Sequence, residues 1–376
     1  MEYYICEKQM DEGLQKTAGV KAREDVEVIL SQMGCLALDI PSNDDRRRSA
    51  HGFKKLMWHF RIWKIWEKNL KKLQKGDCIY VQFPIIEHSF LLAHLFKRLS
   101  GRGIKVVLII HDLELLRVAI RPDVSKIKKL RLKVEEKDAL KHASQLIVHN
   151  IRMKKYIMRL NISGDKIIPL HIFDYLIPDL DRKKLSEQKL GKDLPVIIAG
   201  NLRPHKAQYV YQLPDNCIFN LYGVGYEGQE KEQVWYKGMF KPEELPYVLS
   251  GSFGLVWDGT SANTCSGVYG EYLQINNPHK ASLYIASGIP VIIWSHAALA
   301  DFVKENDCGI VVDSLSDIKG KLMNMSESEY QRLRMDTAVT ADRLRSGYYM
   351  KNAVKNSRKN MEQSKVERGS DGGLEC

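Results

Sequence analysis

Short apolar runs alternate with amphipathic stretches through the first half of the chain. The strand-like runs occupy residues 3–6, 35–40, 78–83, 105–110 and 145–148. Apolar residues recur with helical spacing at residues 20–33, 53–73, 88–99, 125–141 and 152–160. Strands that alternate with helices are typical of a parallel sheet with helices on both faces.

The alternation stops at residues 176–193, a charged stretch that contains Pro178 and has no sustained apolar period. It resumes with strand-like runs at 196–199, 219–222, 254–257, 291–294 and 309–312. The sequence therefore predicts an α/β protein with two doubly wound, Rossmann-like domains facing a central cleft. The predicted parts are an N-terminal domain, a C-terminal domain, a helical segment and a disordered tail, at 1–176, 194–330, 331–358 and 359–376.

Composition narrows the class of protein. A chain of 376 residues with 44% hydrophobic content suits two domain cores, and its net charge of +11 fits nucleic acid, an anionic membrane or phosphorylated small molecules. Nucleic acid lacks motif support, because no zinc-finger or RNP-type pattern occurs. The seven scattered cysteines form no C-x-x-C pair, and no secretory signal or apolar run of ~20 residues is present. We expect a cytoplasmic protein with reduced thiols.

Residues 276–294 carry the most informative pattern: a polar loop, a short helix, a Gly-x-Pro turn and a buried strand. Free amides and the positive dipole end at the start of a helix favour an anion. Lys280 adds a cation, Ser282 and Leu283 would donate backbone N–H groups, and Asn277 would orient the loop or contact a donor sugar. The pattern predicts a nucleotide diphosphate site, although the same residues also make an ordinary helix-entry turn.

Other strand ends of the second half carry glycine with polar residues. We assign to donor binding, besides the loop above, Gly200, Asn201, Arg203, Tyr222, Gly223 and Asp258. Gly200 allows close backbone approach, and Arg203 offers a planar fork for phosphate oxygens. Tyr222 would stack on a base or contact ribose, and Asp258 would bind a sugar hydroxyl. Each also has a structural alternative, as a solvated loop, a plain turn or a cap.

Acidic residues follow two strands of the first half. Asp112 comes directly after the run 105–110, and Glu87 follows the run 78–83. Either carboxylate would take a proton from an acceptor hydroxyl, with Asp112 favoured as the base. The alternative for Asp112 is a helix N-cap. The residues assigned to acceptor binding flank the same strand ends or the first loop: Thr17, Gly19, Phe83 and His111.

The helical stretch 53–73 mixes aromatic and basic residues. Such a helix would dock on an anionic bilayer surface or mediate self-association. The alternative is core packing of the aromatic rings with a solvated cationic face.

Taken together, the chain resembles the GT-B glycosyltransferases, and more narrowly the glucosyltransferase 3-like and β-1,6-galactofuranosyltransferase-like enzymes of bacterial surface-glycan synthesis. The runs that carry the resemblance are 18–23, 110–114 with Arg117, 148–150, 173–175, 253–259, 272–273 and 276–280. The resemblance implies a UDP-sugar donor in the C-terminal domain, a lipid-linked or protein-linked glycan acceptor in the N-terminal domain, no required metal, no cofactor and a homo-oligomer.

One departure from better-known retaining enzymes of this fold bears on mechanism. Those enzymes carry a Glu pair spaced E-x7-E before the Gly-x-Pro turn, whereas the corresponding positions here hold Ile275 and Leu283. We therefore expect an inverting transfer of a hexose, glucose or galactose in pyranose or furanose form. A non-catalytic binder of sugar nucleotide or glycan and a UDP-sugar epimerase of the same fold remain as alternatives.

Overall fold

The computed structural model describes residues 1–9, 18–42, 53–86, 91–121, 124–229 and 231–370. The chain forms two compact units. The first comprises Met1–Gln15, Val26–Leu170 and Met350–Cys376, and the second comprises Lys16–Asp25 and His171–Tyr349.

This division differs from the one predicted from the sequence in two places. Residues 16–25 belong to the second unit, where the Lys21 ammonium donates to the Leu176 carbonyl oxygen at 2.8 Å. The chain after residue 349 belongs to the first unit, where the Arg358 guanidinium donates to the Glu2 carboxylate at 3.0 Å. Both contacts join residues far apart in sequence, which explains why local composition does not reveal them.

A six-stranded parallel sheet forms the described core of the first unit. Its strands are β1 Glu2–Gln9, β2 Leu36–Ser42, β3 Cys78–Phe83, β4 Lys105–Ile110, β5 Gln145–Val148 and β6 Ile167–Pro169. Their order is β2-β1-β3-β4-β5-β6. Strands β3 and β5 are buried along their whole length, because helices cover both faces of a parallel sheet. The short strand β6 was not predicted.

The helices that begin before residue 160 follow the predicted alternation, except that α4 was not predicted. They are α1 Ala18–Gln32, α2 Phe53–Leu70, α3 Leu92–Gly101, α4 Glu114–Ile120, α5 Lys126–His142 and α6 Ile151–Met158. In α2, Trp58, Ile62, Trp66 and Leu70 are spaced four residues apart and are buried. Trp58 and Trp66 therefore serve in core packing, the alternative noted above, whereas Phe60 is 40% exposed.

The second unit contains another six-stranded parallel sheet in the described residues. Its strands are β7 Val196–Asn201, β8 Phe219–Val224, β9 Val234–Tyr236, β10 Gly254–Val256, β11 Val291–Trp294 and β12 Gly309–Val312. Their order is β12-β11-β10-β7-β8-β9. The prediction of two doubly wound α/β domains is confirmed.

Short helices connect the strands of the second unit and longer ones close the chain. They are α7 Arg182–Ser186, α8 Pro204–Ala207, α9 Leu245–Val248, α10 Gly267–Tyr272, α11 His279–Ala286, α12 Ala300–Glu305, α13 Asp317–Asn324, α14 Glu327–Arg345 and α15 Tyr348–Ser370. A capping box starts α14, because Ser326 and Glu329 bond each other's backbone amides. Helix α15 covers residues 359–370 of the predicted disordered tail.

Each sheet has one point where successive strands are added in opposite directions. In the first unit this point lies between β1 and β3, and in the second it lies between β7 and β10. Open parallel sheets bind ligands beyond the carboxyl ends of the strands at such a point. Across the described residues, no helix is both long and apolar enough to span a bilayer.

Candidate functional site

The reversal between β7 and β10 brings together the predicted donor residues of two neighbouring strands. Strand β7 ends with Gly200 and Asn201, and Asp258 follows β10 closely. Residues 197 and 254 pair in register, so both strand ends point to the same edge of the sheet. This edge is the candidate donor site.

Gly200 leaves the main chain accessible at that edge of the sheet. Its φ is +131°, a conformation that favours glycine, and a methyl group placed there would meet no atom within 4 Å. Gly223, its register partner on β8, packs tightly instead, since a Cβ atom there would lie 1.8 Å from the Gly200 oxygen. Space in front of Gly200 allows a ligand to approach the main chain.

Lys280 and Asp258 form an ion pair at the end of β10. The Lys280 ammonium donates to Asp258 Oδ1 at 2.9 Å and to the Trp257 carbonyl oxygen at 2.8 Å. Their side chains are only 17% and 12% exposed. An ammonium group has three N–H donors, so two fixed bonds leave one donor for an anion. Lys280 is therefore held in position beside the end of β10.

Helix α11 begins at His279, with Pro278 as its N-cap. In regular helical geometry the amides of Ser282 and Leu283 donate to the carbonyl oxygens four residues earlier. Both residues are buried, and Ser282 Oγ donates to the Phe173 carbonyl oxygen at 2.7 Å. This geometry disfavours the predicted role of Ser282 and Leu283 as anion donors, and the amides of His279 and Lys280 in the first turn fit that role better.

Asn277 lies just before α11 and has a structural contact. Its amide Nδ2 donates to the His171 carbonyl oxygen at 2.7 Å, and the residue is 5% exposed. Of the two roles suggested by the sequence, the contact favours orientation of the loop over contact with a donor sugar.

Tyr284 holds α11 against the sheet and was missed by the sequence analysis. Its hydroxyl accepts a hydrogen bond from the Ala199 amide at 2.6 Å. Its ring occupies the space above Gly254, where a Cβ atom would lie 2.1 Å from Tyr284 Cγ. The glycine in β10 thus allows α11 to start beside the ends of β7 and β10. A glycine inside an apolar strand was the available signal.

Arg203 lies on the other side of Gly200, at the start of α8. Its backbone amide donates to Asn201 Oδ1 at 3.1 Å, which fixes the turn after β7. Its side chain is exposed and packs over Gly225, with Cγ 2.3 Å from where a Cβ atom would stand. Arg203 thus places a cation near the ends of β7 and β8, while Lys280 lies at the end of β10.

Tyr222 does not offer a free ring. It is 3% exposed, its hydroxyl accepts from the Ser250 amide at 3.2 Å, and its ring contacts Phe240. The predicted stacking role of Tyr222 is therefore corrected to core packing.

Tyr226 and Tyr236 lie beside the same strand end with ring centroids 5.5 Å apart, and Tyr236 is 38% exposed. These rings are the accessible aromatic surface near Gly223.

The start of α1 carries a second group of residues, to which the sequence analysis assigned no role. Lys21 and Asp25 are buried and form an ion pair, and the Lys21 ammonium lies 4.9 Å from the Tyr175 ring centroid. The Tyr175 ring is 5.2 Å from that of His279, the first residue of α11. Burial, followed by the charge of Lys21, lowers the pKa of His279 to about 4, so its imidazole is neutral at pH 7.

Two predicted acceptor residues, Thr17 and Gly19, precede this group in the chain. Gly19 is exposed in the first turn of α1 and belongs to the second unit. Thr17 lies outside the described residues.

The other two predicted acceptor residues meet at the end of β3 and β4 in the first unit. The His111 amide donates to the Phe83 carbonyl oxygen at 2.7 Å. His111 Nε2 lies 2.7 Å from Gln82 Oε1, and Gln82 Nε2 donates to Glu27 Oε1 at 3.2 Å. Because an amide oxygen only accepts, the proton of a neutral His111 sits on Nε2 and Nδ1 is the acceptor. Gln82 and Glu27 orient this histidine and were missed.

Phe83 itself is mostly buried and lines a cavity of about 50 Å³. The walls are apolar side chains from the β3 end, α3 and α5, together with Glu114, Glu135 and Glu136. Phe83 thus shapes a small recess beside the predicted base.

Asp112 lies in the turn between β4 and α4, with its side chain 40% exposed. The N-cap position of α4 is Leu113, without a side-chain cap. Glu136 of α5 instead accepts from the amides of Glu114 and Leu115 at 3.0 and 2.8 Å. Two amides that Asp112 would cap are therefore bonded to Glu136. Arg117 Nη1 lies 3.8 Å from Asp112 Oδ2. Glu87, the second base candidate, lies outside the described residues.

Replacing Glu136 with glutamine should change how stability depends on pH. Burial raises the pKa of Glu136 from 4.5 to about 7, while the two amide hydrogen bonds oppose the rise and the charges of Glu114 and Asp112 add to it. A raised carboxyl pKa means that the folded state binds more protons than the unfolded state between these values, so wild-type stability falls as pH rises through them. The free energy of unfolding of Glu136→Gln, taken relative to that of the wild type, should therefore rise by about 3 kcal/mol from pH 4 to pH 8.

Urea unfolding of both proteins across this range checks the expectation. A stability difference that does not change with pH would contradict it.

Metal ligation has no support within the described ranges, where groups of three or more His, Cys, Asp or Glu side chains suited to a metal ion do not occur. Metal independence stays a prediction, because Thr17 and Glu87 lie outside those ranges.

Solved structures share this architecture. HepE of Anabaena in complex with UDP has a TM-score of 0.53 at 12% identity, and covers 97% of this chain and 100% of its own. Sucrose-phosphate synthase of Thermosynechococcus elongatus has a TM-score of 0.58 at 12% identity, with 99% of each chain covered. The fold, with two parallel doubly wound sheets, is that of a GT-B glycosyltransferase.

Sequence relatives identify the family. The family models described as "Glucosyltransferase 3-like" match residues 2–172 with the N-terminal domain and 196–357 with the C-terminal domain. Beta-1,6-galactofuranosyltransferase WbbI of Escherichia coli (strain K12) is 34% identical over 287 residues, covering 75% of this chain and 79% of that protein. Glucosyltransferase 3 of Streptococcus gordonii is 25% identical over 284 residues, covering 74% and 78%. The chain belongs to the glucosyltransferase 3-like family, and the protein is a glycosyltransferase.

Proposed function

We propose that this glycosyltransferase moves a hexose from a UDP-sugar to a glycan acceptor in the synthesis of a bacterial surface polysaccharide or glycoprotein. The observation that carries the proposal is the strand edge of the second unit. There the Asp258–Lys280 pair and the first turn of α11 lie beside the open backbone at Gly200. Helix amides, a fixed ammonium and accessible main chain suit a diphosphate.

The relatives support the donor class. WbbI is named for galactofuranose transfer and two further relatives are named glucosyltransferases. HepE, which shares the fold, was solved with UDP and with UDP-glucose. We therefore propose glucose or galactose, in pyranose or furanose form, as the transferred sugar.

The leaving group would be stabilised by protein cations. As the bond from the anomeric carbon to UDP breaks, negative charge grows on the diphosphate. Lys280 and Arg203, with the amides of His279 and Lys280, would offset that charge in place of a metal ion. The accessible rings of Tyr226 and Tyr236 would stack on the base, a role that buried Tyr222 does not fit.

The acceptor would be activated from the first unit. Asp112 is the proposed base that takes the proton of the attacking hydroxyl, giving direct displacement with inversion at the anomeric carbon. His111 and Phe83 would contact the acceptor near the same strand ends. Absence of the E-x7-E pair at Ile275 and Leu283 supports inversion over a retaining route. Self-association of the protein also stays a proposal.

Product analysis with a donor panel tests the function. Purified protein is incubated with UDP-glucose, UDP-galactopyranose or UDP-galactofuranose, with and without octyl glycosides as acceptors, and with and without EDTA. We expect one donor to be consumed faster with acceptor, to yield a glycosylated octyl glycoside, and to react equally with EDTA.

The other outcomes identify the competing functions. Conversion of a UDP-sugar without acceptor would indicate an epimerase. A donor that raises the Tm but is never consumed, with any acceptor tested, would indicate a binding protein. Loss of turnover in EDTA that Mg²⁺ restores would overturn metal independence alone.

A further inference from the structure

Helix α5 has a buried face on one side and an exposed apolar face on the opposite side. Glu136, Ala139 and Leu140 are buried on the inner side, where α5 packs against α3 and α4. Ile127, Leu130 and Val134 are 83%, 64% and 58% exposed. At about 100° per residue these three lie within about 60° of one another, opposite the buried face. We call Ile127, Leu130 and Val134 the outer stripe.

Positive charge lies along one side of the outer stripe. Residues 126–142 contain seven Lys or Arg and three Asp or Glu. By helical position, Lys126, Lys133 and Lys137 flank the stripe on one side, whereas Asp138, Arg131 and Glu135 lie on the other. Of the acidic residues of this helix, Glu136 caps α4 and Glu135 pairs with Arg131 at 3.3 Å. Asp138 lies 3.2 Å from His142, a contact that is an ion pair only when the histidine is protonated.

We propose that the outer stripe docks the first unit on an anionic lipid bilayer. Three exposed aliphatic side chains on one line would enter the boundary between headgroups and acyl chains, while the flanking lysines meet lipid phosphates. The positive charge of α5 favours an anionic bilayer over a second copy of the chain as the binding partner. A second copy of the chain would bring two cationic helices together, whereas an anionic bilayer complements them. The proposal concerns attachment and does not depend on the identity of the donor or acceptor.

Vesicle sedimentation of the full chain tests the proposal. The protein should sediment with vesicles of phosphatidylcholine and phosphatidylglycerol, and little with phosphatidylcholine alone. Added NaCl should release it, because salt screens the attraction. Ile127→Ser/Leu130→Ser/Val134→Ser should weaken binding by more than about tenfold, since burial of the stripe is lost. Lys126→Gln/Lys133→Gln/Lys137→Gln should weaken it by about a hundredfold.

Matched variants elsewhere control for general surface effects. Met335 and Val339 are 63% and 56% exposed on α14, so Met335→Ser/Val339→Ser removes comparable apolar surface. Lys304→Gln/Lys319→Gln/Lys321→Gln removes three exposed lysines from α12 and α13. Both variants should bind vesicles like the wild type.

Several results would overturn the proposal. These are no sedimentation of the wild type with anionic vesicles, equal binding to neutral vesicles, or equal losses in the control variants. The stripe would instead be assigned to self-association if the wild type does not bind vesicles and forms a dimer that the serine variant does not form. If the serine variant unfolds, as circular dichroism would show, the glutamine variant alone decides the question, because it leaves the apolar residues in place.

Discussion

Replacing Asp112 with asparagine should lower kcat by about two to four orders of magnitude, the usual contribution of a general base. The amide keeps the size of the carboxylate but does not accept the proton of the acceptor hydroxyl. UDP affinity should change little, because the proposed diphosphate contacts all lie on residues of the second unit. Single-turnover transfer and calorimetric titration of UDP measure the two quantities separately.

A matched control lies two residues away. Glu114 is also an acidic residue beside Arg117, and Glu114 Oε1 accepts from Arg117 Nη1 at 2.7 Å. Glu114→Gln makes the same chemical change at the same strand edge and should keep kcat within a few-fold of wild type. If Asp112→Asn retains full turnover, the base is elsewhere and Glu87 becomes the residue to replace next.

Replacing Lys280 with alanine should lower kcat/KM by roughly a hundredfold, about 2.7 kcal/mol of transition-state stabilisation. The ammonium would be lost where charge develops on the leaving diphosphate. The variant should also lose stability, because Asp258 is 9% exposed and would keep a carboxylate without its cation. Initial rates at limiting donor and thermal unfolding check the two effects.

The double variant Lys280→Ala/Asp258→Asn separates catalysis from stability. Removing the stranded charge should restore most of the lost Tm, while kcat/KM stays low. Lys304→Ala, at an exposed position on α12, should alter neither quantity. If the double variant recovers both kcat/KM and Tm, the role of Lys280 is structural and not catalytic.

Local patterns predicted most strands and helices but not the pieces that depend on distant partners. Strands β3, β4 and β5 start and end where the apolar runs do, because a buried parallel strand has no polar face. Strands β6 and β9 are three residues long and carry too little pattern. Helix α4 was missed because a distant residue, Glu136, satisfies its first amides.

The candidate site shows the same limit. The loop before α11 and the glycine at the end of β7 were recognisable, since helix starts and strand-end glycines have local signatures. The partners were not: Lys280 pairs with Asp258, Tyr284 with the Ala199 amide, and His111 with Gln82. Tyr222 was misassigned because sequence gives a residue's chemistry but not whether its ring is buried.

The sequence by itself determined the fold class and which strand ends carry glycine, cations and carboxylates, because these follow from periodicity and residue type. The family was indicated by the resemblance of particular motifs. Only the tertiary structure decided which side chains are committed to the protein and which remain at a strand edge. The reason is physical: burial and long-range hydrogen bonds depend on strand order. In the second unit that order sets β7 beside β10, although more than fifty residues separate them in the chain.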